Sequence, residues 1–266
     1  MIISPGNARI KSVVRMRQKA KARKEADAFL VEGVKMFLEA PLSRILEVYV
    51  SESFSCPDAA QNQAVIEKLK TAPAEYVSEE VFAKISDTCS PQGILCVMRA
   101  YHYELEDMLR GENPLLLLAE DIQDPGNLGT MLRTGEGAGI DGVICSRDTV
   151  DLYNPKTIRA TMGSIYRVPF LYADDLHAVM KELQARGITI FAAHLRGETP
   201  YDACDYTRGA AFLIGNEGNG LKQKTADLAD RYMKIPMAGE VESLNAGIAA
   251  AILTYEAARQ RRAKMP

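Results

Sequence analysis

The stretch that decides the fold is PLLLLAEDIQDPGNLG, residues 114–129 of the 266-residue chain. It opens with a continuous apolar run, Leu115–Ala119, which is typical of a strand covered on both faces of a parallel sheet. A polar loop containing glycine follows, and the pattern then predicts a helix from Gly129 to Gly137. A strand that leads through a loop into a helix is the repeating unit of an α/β fold.

The same alternation continues towards the C-terminal end. Because strands joined by helices form mostly parallel sheets with helices on both faces, we expect that architecture here. A closing helix is predicted from Ser243 to Arg261, rich in small residues that allow close packing. The strands predicted after the first one are 142–145, 168–171, 188–193, 211–214 and 232–235.

The chain is long enough for two domains. Residues 1–98 contain a separate, less regular set of predicted strands and helices, and the polar stretch 99–113 separates it from the second half. We therefore expect a small α/β domain over 1–98, a linker over 99–113 and a larger α/β domain over 114–266.

Composition excludes several classes of protein. The sequence is 47% hydrophobic and 25% charged, an ordinary globular balance. No apolar run approaches the roughly 18–20 residues that cross a bilayer, and the N-terminus lacks the order of a secretory signal, so a cytoplasmic protein is expected. The five cysteines form no CxxC, and the three histidines lack metal-ligand spacing, which predicts neither a disulfide framework nor a metal site.

The charges are unevenly distributed. The formal net charge is −3, yet residues 1–35 hold nine basic and three acidic side chains, so they carry +6 and the remaining residues −9. A basic helix on a mildly acidic body is typical of local contact with a phosphate backbone, although a solvated helix face is the plain alternative. The candidate nucleic-acid-binding residues are Arg9, Lys11, Arg15, Arg17, Lys19, Lys21, Arg23 and Lys24.

Three glycine-rich loops follow predicted strands of the second half. They are EDIQDPGNLG (120–129), GNEGNGL (215–221) and IPMAG (235–239), the last continuing into ESLN (242–245). Ligands of open α/β sheets bind at the carboxyl ends of strands, so three such loops together indicate a site. None is a dinucleotide-binding GxGxxG after the first strand and none is a phosphate-binding GKS or GKT loop, which argues against a nucleotide-dependent oxidoreductase.

The segments DPGNLGTMLRTG, IGNEGNGL and IPMAGEVESLNAGIAAAI resemble, in order and spacing, the three signature motifs of the SpoU (TrmH-like) branch of the SPOUT RNA methyltransferases. The resemblance covers about residues 113–262. Residues 1–98 resemble the substrate-binding domain, related to certain ribosomal proteins, that often precedes this core. The resemblance implies a C-terminal trefoil knot, a homodimer formed through the knotted domain, S-adenosylmethionine as cofactor, and RNA as partner.

The resemblance also implies roles for individual residues. Cofactor binding falls to the three loops, at Gly215, Ile235 and Leu244 with Asn216, Gly218 and Met237. The polar catalytic set is Asn127, Arg133, Glu217, Ser243 and Asn245. One departure is visible: the third motif usually continues Asn-Val-Ser, whereas Ala246 and Gly247 follow here, so a hydroxyl is missing from the closing helix.

Arg133 has two possible roles: it assists deprotonation of the 2′-hydroxyl, or it grips the adjacent phosphate and stabilises the developing alkoxide. The second is preferred, because a guanidinium keeps its proton in proteins and is a poor base. Asn127 and Glu217 either orient Arg133 or fix loops. Ser243 either caps the closing helix or contacts a ligand, and Asn245 is expected one turn inside that helix.

The leading hypothesis is S-adenosylmethionine-dependent 2′-O-methylation of a ribose in structured RNA, at a guanosine of large-subunit ribosomal RNA. The additional N-terminal domain favours ribosomal over transfer RNA. The alternatives are a transfer-RNA ribose methyltransferase and a non-catalytic RNA-binding protein that keeps the knotted core.

Overall fold

The computed structural model describes residues 1–264. The chain forms two compact units, one of Met1–Tyr101 with Asp151–Tyr166, and one of His102–Val150 with the described part of Arg167–Pro266. None of the helices within residues 1–264 has the length and hydrophobicity that a bilayer crossing requires.

The first unit is built on a four-stranded sheet of order β1-β4-β2-β3, in which only β2 and β3 run parallel. Its strands are β1 (Ala28–Glu32), β2 (Ile45–Ser51), β3 (Ala74–Val77) and β4 (Ile94–Arg99). Its helices are α1 (Ala8–Gln18), α2 (Ala20–Ala26), α3 (Val34–Glu39), α4 (Ala59–Leu69), α5 (Glu79–Ile85) and α7 (Pro155–Thr161).

The basic segment at the start of this unit is two helices. The side chain of Asn7 caps α1, and the buried residues Ile10, Val13 and Met16 fix which face meets the core. Lys19 then adopts an extended conformation (φ −130°, ψ 120°), which ends α1 before α2 begins. The expectation of one continuous basic helix is therefore wrong, because a run of basic residues carries no signal for a break in the backbone.

Residues 151–166 were predicted to belong with the rest of 114–266 and instead pack in the first unit. The ring of Tyr153 stacks on Phe29 with centroids 4.5 Å apart, and the Tyr166 hydroxyl donates to the carbonyl of Met36 at 2.9 Å. A short helical pattern shows which of its faces is apolar but not which sheet that face will cover.

The second unit is a seven-stranded sheet of order β7-β6-β5-β10-β8-β11-β9, and every pair of neighbours is parallel. The predicted α/β class with a parallel sheet is confirmed. Its strands are β5 (Leu115–Ala119), β6 (Gly142–Ser146), β7 (Phe170–Ala173), β8 (Thr189–Ala193), β9 (Thr199–Pro200), β10 (Ala210–Ile214) and β11 (Arg231–Lys234). Its helices are α6 (Pro125–Ala138), α8 (Leu176–Ala185), α9 (Gln223–Ala226) and α10 (Ala246–Ala263).

The apolar run Leu115–Ala119 is central in this sheet. All five residues of β5 are buried, between β6 on one side and β10 on the other. Leu105 and Met108 of the predicted linker also join the core of this unit, so part of that segment is packed rather than free. The trefoil knot stays a prediction of the family resemblance.

Candidate functional site

Strand order brings the three glycine-rich loops to one edge of the sheet. β5 and β10 are adjacent, and β10 and β11 both pair with β8. Because neighbouring strands lie about 4.8 Å apart, the loops that leave β10 and β11 begin roughly 10 Å from each other. The parallel direction of all three strands places their carboxyl ends, and hence these loops, on the same edge.

Glu217 joins the second loop to the first. Its carboxylate accepts hydrogen bonds from Asn127 Nδ2 at 2.8 Å and from the backbone N–H groups of Gln123 and Asp124, both at 3.1 Å. Burial raises the pKa of the Glu217 carboxyl, but these hydrogen bonds outweigh it and hold the pKa below its ordinary value. The carboxylate therefore stays charged and holds the chain in place as it enters α6.

Asn245 joins the third loop to the same group. Its Nδ2 donates to Asn127 Oδ1 at 2.6 Å, and its Oδ1 accepts from the N–H of Ile248 at 3.2 Å as the cap of α10. The closing helix therefore begins at Ala246 rather than at Ser243, which excludes the capping alternative for Ser243, and the expectation that Asn245 lies inside the helix is wrong. Ser243 is exposed, and no hydrogen bond of its side chain is found within residues 1–264.

Arg133 lies apart from this chain of three side chains. It follows Asn127 by six residues, which on an α-helix is about 120° around the axis. Its side chain is exposed, and within the described part of the chain no hydrogen bond or ion pair involves its guanidinium. Of the two roles left open for Asn127 and Glu217, the geometry favours fixing the loops over orienting Arg133.

Gly215 is required where the second loop folds back on itself. A Cβ at Gly215 would lie 2.4 Å from backbone atoms of Gly220 and Leu221, too close for any side chain. The loop is closed by backbone hydrogen bonds between Asn216 and Gly220 at 3.1 and 2.9 Å. Gly218 carries no such constraint, since a Cβ there would meet only Asn216 Oδ1 at 3.6 Å.

The third loop is differently built. Ile235, Met237 and Leu244 are half-buried, and most residues between them are exposed. Among the described residues, no side chain from 235 to 244 takes part in a hydrogen bond or an ion pair. The polar groups of this loop are free to meet a ligand.

Gly247, at which the third motif differs from its usual sequence, lies where a side chain would be crowded. A Cβ on Gly247 would lie 3.1 Å from Thr130 Cβ and 3.3 Å from the carbonyl oxygen of Asn127. At Gly247, α10 therefore approaches α6 more closely than most side chains allow, and Ser would require Thr130 to shift.

Sequence reasoning missed two residues of this edge, Glu120 and Asp121. Glu120 is only 3% exposed and accepts a hydrogen bond from the backbone N–H of Lys222 at 2.9 Å. Asp121 adopts the left-handed conformation, with φ of 52°. The available signal was two consecutive acids directly after a fully apolar strand.

The basic residues of the first unit divide by exposure. Arg23 is 5% exposed, and its Nε donates to Asp151 at 2.9 Å, so its charge is used inside the unit; its assignment as an RNA contact is withdrawn. Arg17 is half-buried and donates to the carbonyl of Ser86. The exposed members are Arg9, Lys11, Arg15, Lys19, Lys21 and Lys24.

Two of these exposed cations have acidic neighbours. Arg9 lies 3.5 Å from Glu47 and 3.6 Å from Glu75, and Lys21 lies 3.8 Å from Glu25.

Within residues 1–264, no three Cys, His, Asp or Glu side chains lie close enough together to form a metal site.

Comparison with known proteins agrees with the motifs. The model of the SpoU rRNA Methylase family matches residues 114–255, and that of the MRM3-like substrate binding domain matches residues 7–96. The chain is 33% identical over 257 residues to a 23S rRNA (guanosine(2553)-2'-O)-methyltransferase of Bacillus subtilis, covering 96% of this chain and 97% of the relative. It is 32% identical to a 23S rRNA (guanosine-2'-O-)-methyltransferase of Neisseria meningitidis, covering 82% and 88%.

Solved structures give the same result. An AdoMet-bound rRNA methyltransferase from Sinorhizobium meliloti superimposes with a TM-score of 0.85 at 30% identity, covering 100% of this chain and 98% of the other. The SpoU methyltransferase AviRb from Streptomyces viridochromogenes, in complex with AdoMet, gives 0.85 at 26% identity, covering 97% and 100%. The chain belongs to the SpoU rRNA methylase family.

Proposed function

We propose that this chain transfers the methyl group of S-adenosylmethionine to a ribose 2′-hydroxyl of RNA, at a guanosine of large-subunit ribosomal RNA. Membership of the family makes the chain an S-adenosylmethionine-dependent RNA methyltransferase. The observation that carries the proposal is the chain of hydrogen bonds from Glu217 through Asn127 to Asn245, because it links all three motifs at one edge of the sheet. Two relatives named as 23S rRNA guanosine 2′-O-methyltransferases support the choice of RNA and nucleotide.

The residues present fit the cofactor. Close packing of Gly220 and Leu221 against Gly215 admits no side chain at residue 215, and no side chain from 235 to 244 has a hydrogen bond or ion pair within the described chain. The cofactor supplies a methyl group already activated by a sulfonium, so the protein's task is to position it and to assist a weak oxygen nucleophile. The residues proposed to hold it are Gly215, Asn216, Gly218, Ile235, Met237 and Leu244.

Arg133 is the proposed catalytic residue. Its guanidinium is exposed and unpaired within residues 1–264, so it is free to grip the phosphate beside the target ribose and to stabilise the developing alkoxide. Asn127, Glu217 and Asn245 hold the three loops around the reacting groups. Ser243, exposed just before α10, is proposed to contact the substrate or the cofactor.

The reaction and the role of Arg133 are tested by transfer of a labelled methyl group to total RNA, followed by mapping of the modified nucleotide. Arg133→Ala is expected to lower kcat by roughly 100-fold, as for other charge-stabilising donors. Arg133→Lys should recover little of the rate, because Lys lacks the bidentate fork. The matched control is Arg231→Ala, an exposed arginine at the opposite, amino end of β11. A methyl group found on a base atom would refute the proposed ribose methylation. A full rate in Arg133→Ala would refute Arg133 as the catalytic residue.

RNA affinity is assigned to the exposed cations of α1 and α2 and to Lys19, which lies between the two helices. Truncation is a poor test, because α1 contributes Ile10, Val13 and Met16 to the core of the first unit. The triple change Lys11→Glu, Arg15→Glu and Lys19→Glu should weaken RNA binding and flatten its salt dependence. The control makes the same change in net charge elsewhere, by replacing three exposed basic residues of the second unit with glutamate: Lys181, Arg208 and Arg231. Equal losses in both variants would contradict the assignment.

The family resemblance also implies a homodimer through the second unit. Ile248 and Tyr255 on α10 are each 48% exposed, and apolar side chains on one helix support a protein interface there. Sedimentation equilibrium should give twice the chain mass, reduced to one chain by Ile248→Glu with Tyr255→Glu. A wild-type monomer would contradict this part of the proposal.

The position of the nucleotide mapped after labelled methyl transfer also decides whether the substrate is ribosomal or transfer RNA.

A further inference from the structure

Two consecutive carboxylates, Glu120 and Asp121, stand where β5 ends, and both reach the loop Gly215–Lys222. Glu120 is buried, at 3% exposure. Its Oε2 accepts a hydrogen bond from the backbone N–H of Lys222 at 2.9 Å, and its Oε1 accepts one from the hydroxyl of Thr225 at 2.5 Å. A buried carboxylate is tolerated only with such partners, so Glu120 fixes the end of this loop in one position.

A histidine extends this arrangement to a second helix. The ring Nε2 of His177, on α8, lies 2.7 Å from the hydroxyl oxygen of Thr225. Because the single hydroxyl proton of Thr225 is donated to Glu120, Nε2 of His177 must be the donor to Thr225. Helix α9, which directly follows the loop, is therefore tied to β5 and to α8 through one hydroxyl group.

Asp121 holds the loop at both of its ends. Its carbonyl oxygen accepts from Asn216 Nδ2 at 2.8 Å, and its carboxylate forms an ion pair with Lys222 Nζ. Its Oδ1 also accepts from Ser146 Oγ at 2.7 Å, at the end of β6. The left-handed backbone of Asp121 is unfavourable for most residues, and these contacts are what maintain it.

We propose that Glu120 and Asp121 are positioning residues that hold the loop Gly215–Lys222 in the form that binds the methyl donor, and thereby set the affinity for S-adenosylmethionine. This inference rests on the proposed function. A loop already fixed in its binding form loses little conformational entropy when a ligand arrives, whereas a released loop must be ordered at the expense of affinity.

The test is calorimetric titration of S-adenosylmethionine into Glu120→Gln and Asp121→Asn. Asn tolerates the left-handed backbone, so Asp121→Asn removes mainly the charge that faces Lys222. Each variant should raise the Kd for S-adenosylmethionine by roughly tenfold, the effect of one charged hydrogen bond. At saturating cofactor, kcat should remain within about threefold of the wild-type value, since neither residue is assigned to the reacting atoms.

The exposed ion pair of Glu182 with Arg186 on α8 provides the control, and Glu182→Gln should leave the Kd unchanged. Lys222→Met should match Asp121→Asn, and the double variant should be no worse than either single one, because both remove the same pair. Failure of the wild-type chain to bind S-adenosylmethionine would refute the proposed function. If the wild-type chain binds S-adenosylmethionine and both carboxylate variants keep a Kd within twofold of the wild-type value, this inference alone is overturned. A lower melting temperature of the two variants with an unchanged Kd would overturn it as well.

Discussion

The second and third loops of the site lie at the same edge of one sheet, and they are held in opposite ways. In the second, Gly215–Lys222, backbone hydrogen bonds close the loop, and Glu217 and Asn216 connect it to the first loop. In the third, Ile235–Asn245, only Asn245 anchors the chain, and within the described residues no side chain before it has a hydrogen bond or ion pair.

This difference indicates a division of labour. A loop whose polar groups are satisfied within the protein keeps its shape without a ligand, whereas a loop without partners gains order only from what it binds. We therefore expect the second loop to be a rigid wall of the cofactor site, and the third to close against the cofactor once it is bound.

The largest effect should come from breaking the rigid loop. Gly215→Ala places a Cβ 2.4 Å from backbone atoms of Gly220 and Leu221, so the loop must move. Such a clash typically costs about 1–3 kcal/mol, so we expect the affinity for S-adenosylmethionine to fall by up to roughly 100-fold. Gly111→Ala, at an exposed position outside the three loops where a Cβ would meet nothing within 4 Å, is the matched control and should change the Kd by less than about threefold. Equal effects of the two substitutions would contradict the rigid role of the second loop.

Amide hydrogen exchange tests the division of labour directly. Saturating S-adenosylmethionine should slow exchange of the amides between residues 236 and 244 by about tenfold or more, since these groups become ordered only on binding. Amides of 215–222 should change much less. The reverse pattern, with protection gained mainly in the second loop, would contradict our interpretation.

The pH dependence of stability sharpens the role of Glu217. Because its pKa lies below the ordinary value of 4.5, its stabilisation is fully present above about pH 4.5 and is lost as the pH falls through the lower pKa of the folded state. Glu217→Gln should lower the free energy of unfolding by about 1 kcal/mol at pH 7, a small figure because the exposed carboxylate is screened. Urea unfolding should show this difference constant from pH 8 to about pH 5 and shrinking below. A difference that grows in acid would refute the assignment.

The smallest expected effect concerns the helix that follows the third loop. Gly247→Ala brings a Cβ to 3.1 Å from Thr130, and we expect a net loss of about 0.5 kcal/mol once the better helix propensity of Ala offsets part of the overpacking. Adding Thr130→Ala removes the Cγ2 that would lie 3.2 Å away but keeps the Cβ, so it should relieve part of the overpacking and give a coupling of about 0.5 kcal/mol in thermal unfolding. Purely additive effects would mean that the two helices do not constrain each other at this point.

Much of the fold could be predicted because burial leaves a periodic signal. Leu115–Ala119 reads as a strand covered on both faces, and the structure pairs it with strands on both sides. The helix boundaries were less predictable: α10 begins at Ala246 because the side chain of Asn245 caps it, and Ser243 carries an equally good capping side chain. Local chemistry allows either start, and the contact of Asn245 with Asn127 selects between them.

The sequence alone determined the α/β class, the position of the three motifs and the family they resemble, since these depend on residue type and spacing along the chain. Only the tertiary structure decided that Arg23 is buried against Asp151, that Asn127 links Glu217 to Asn245 while Arg133 stays apart, and that Glu120 and Asp121 hold the second loop. Those outcomes depend on residues distant in the chain meeting at one edge or in one core, and a one-dimensional pattern carries no record of which partners meet.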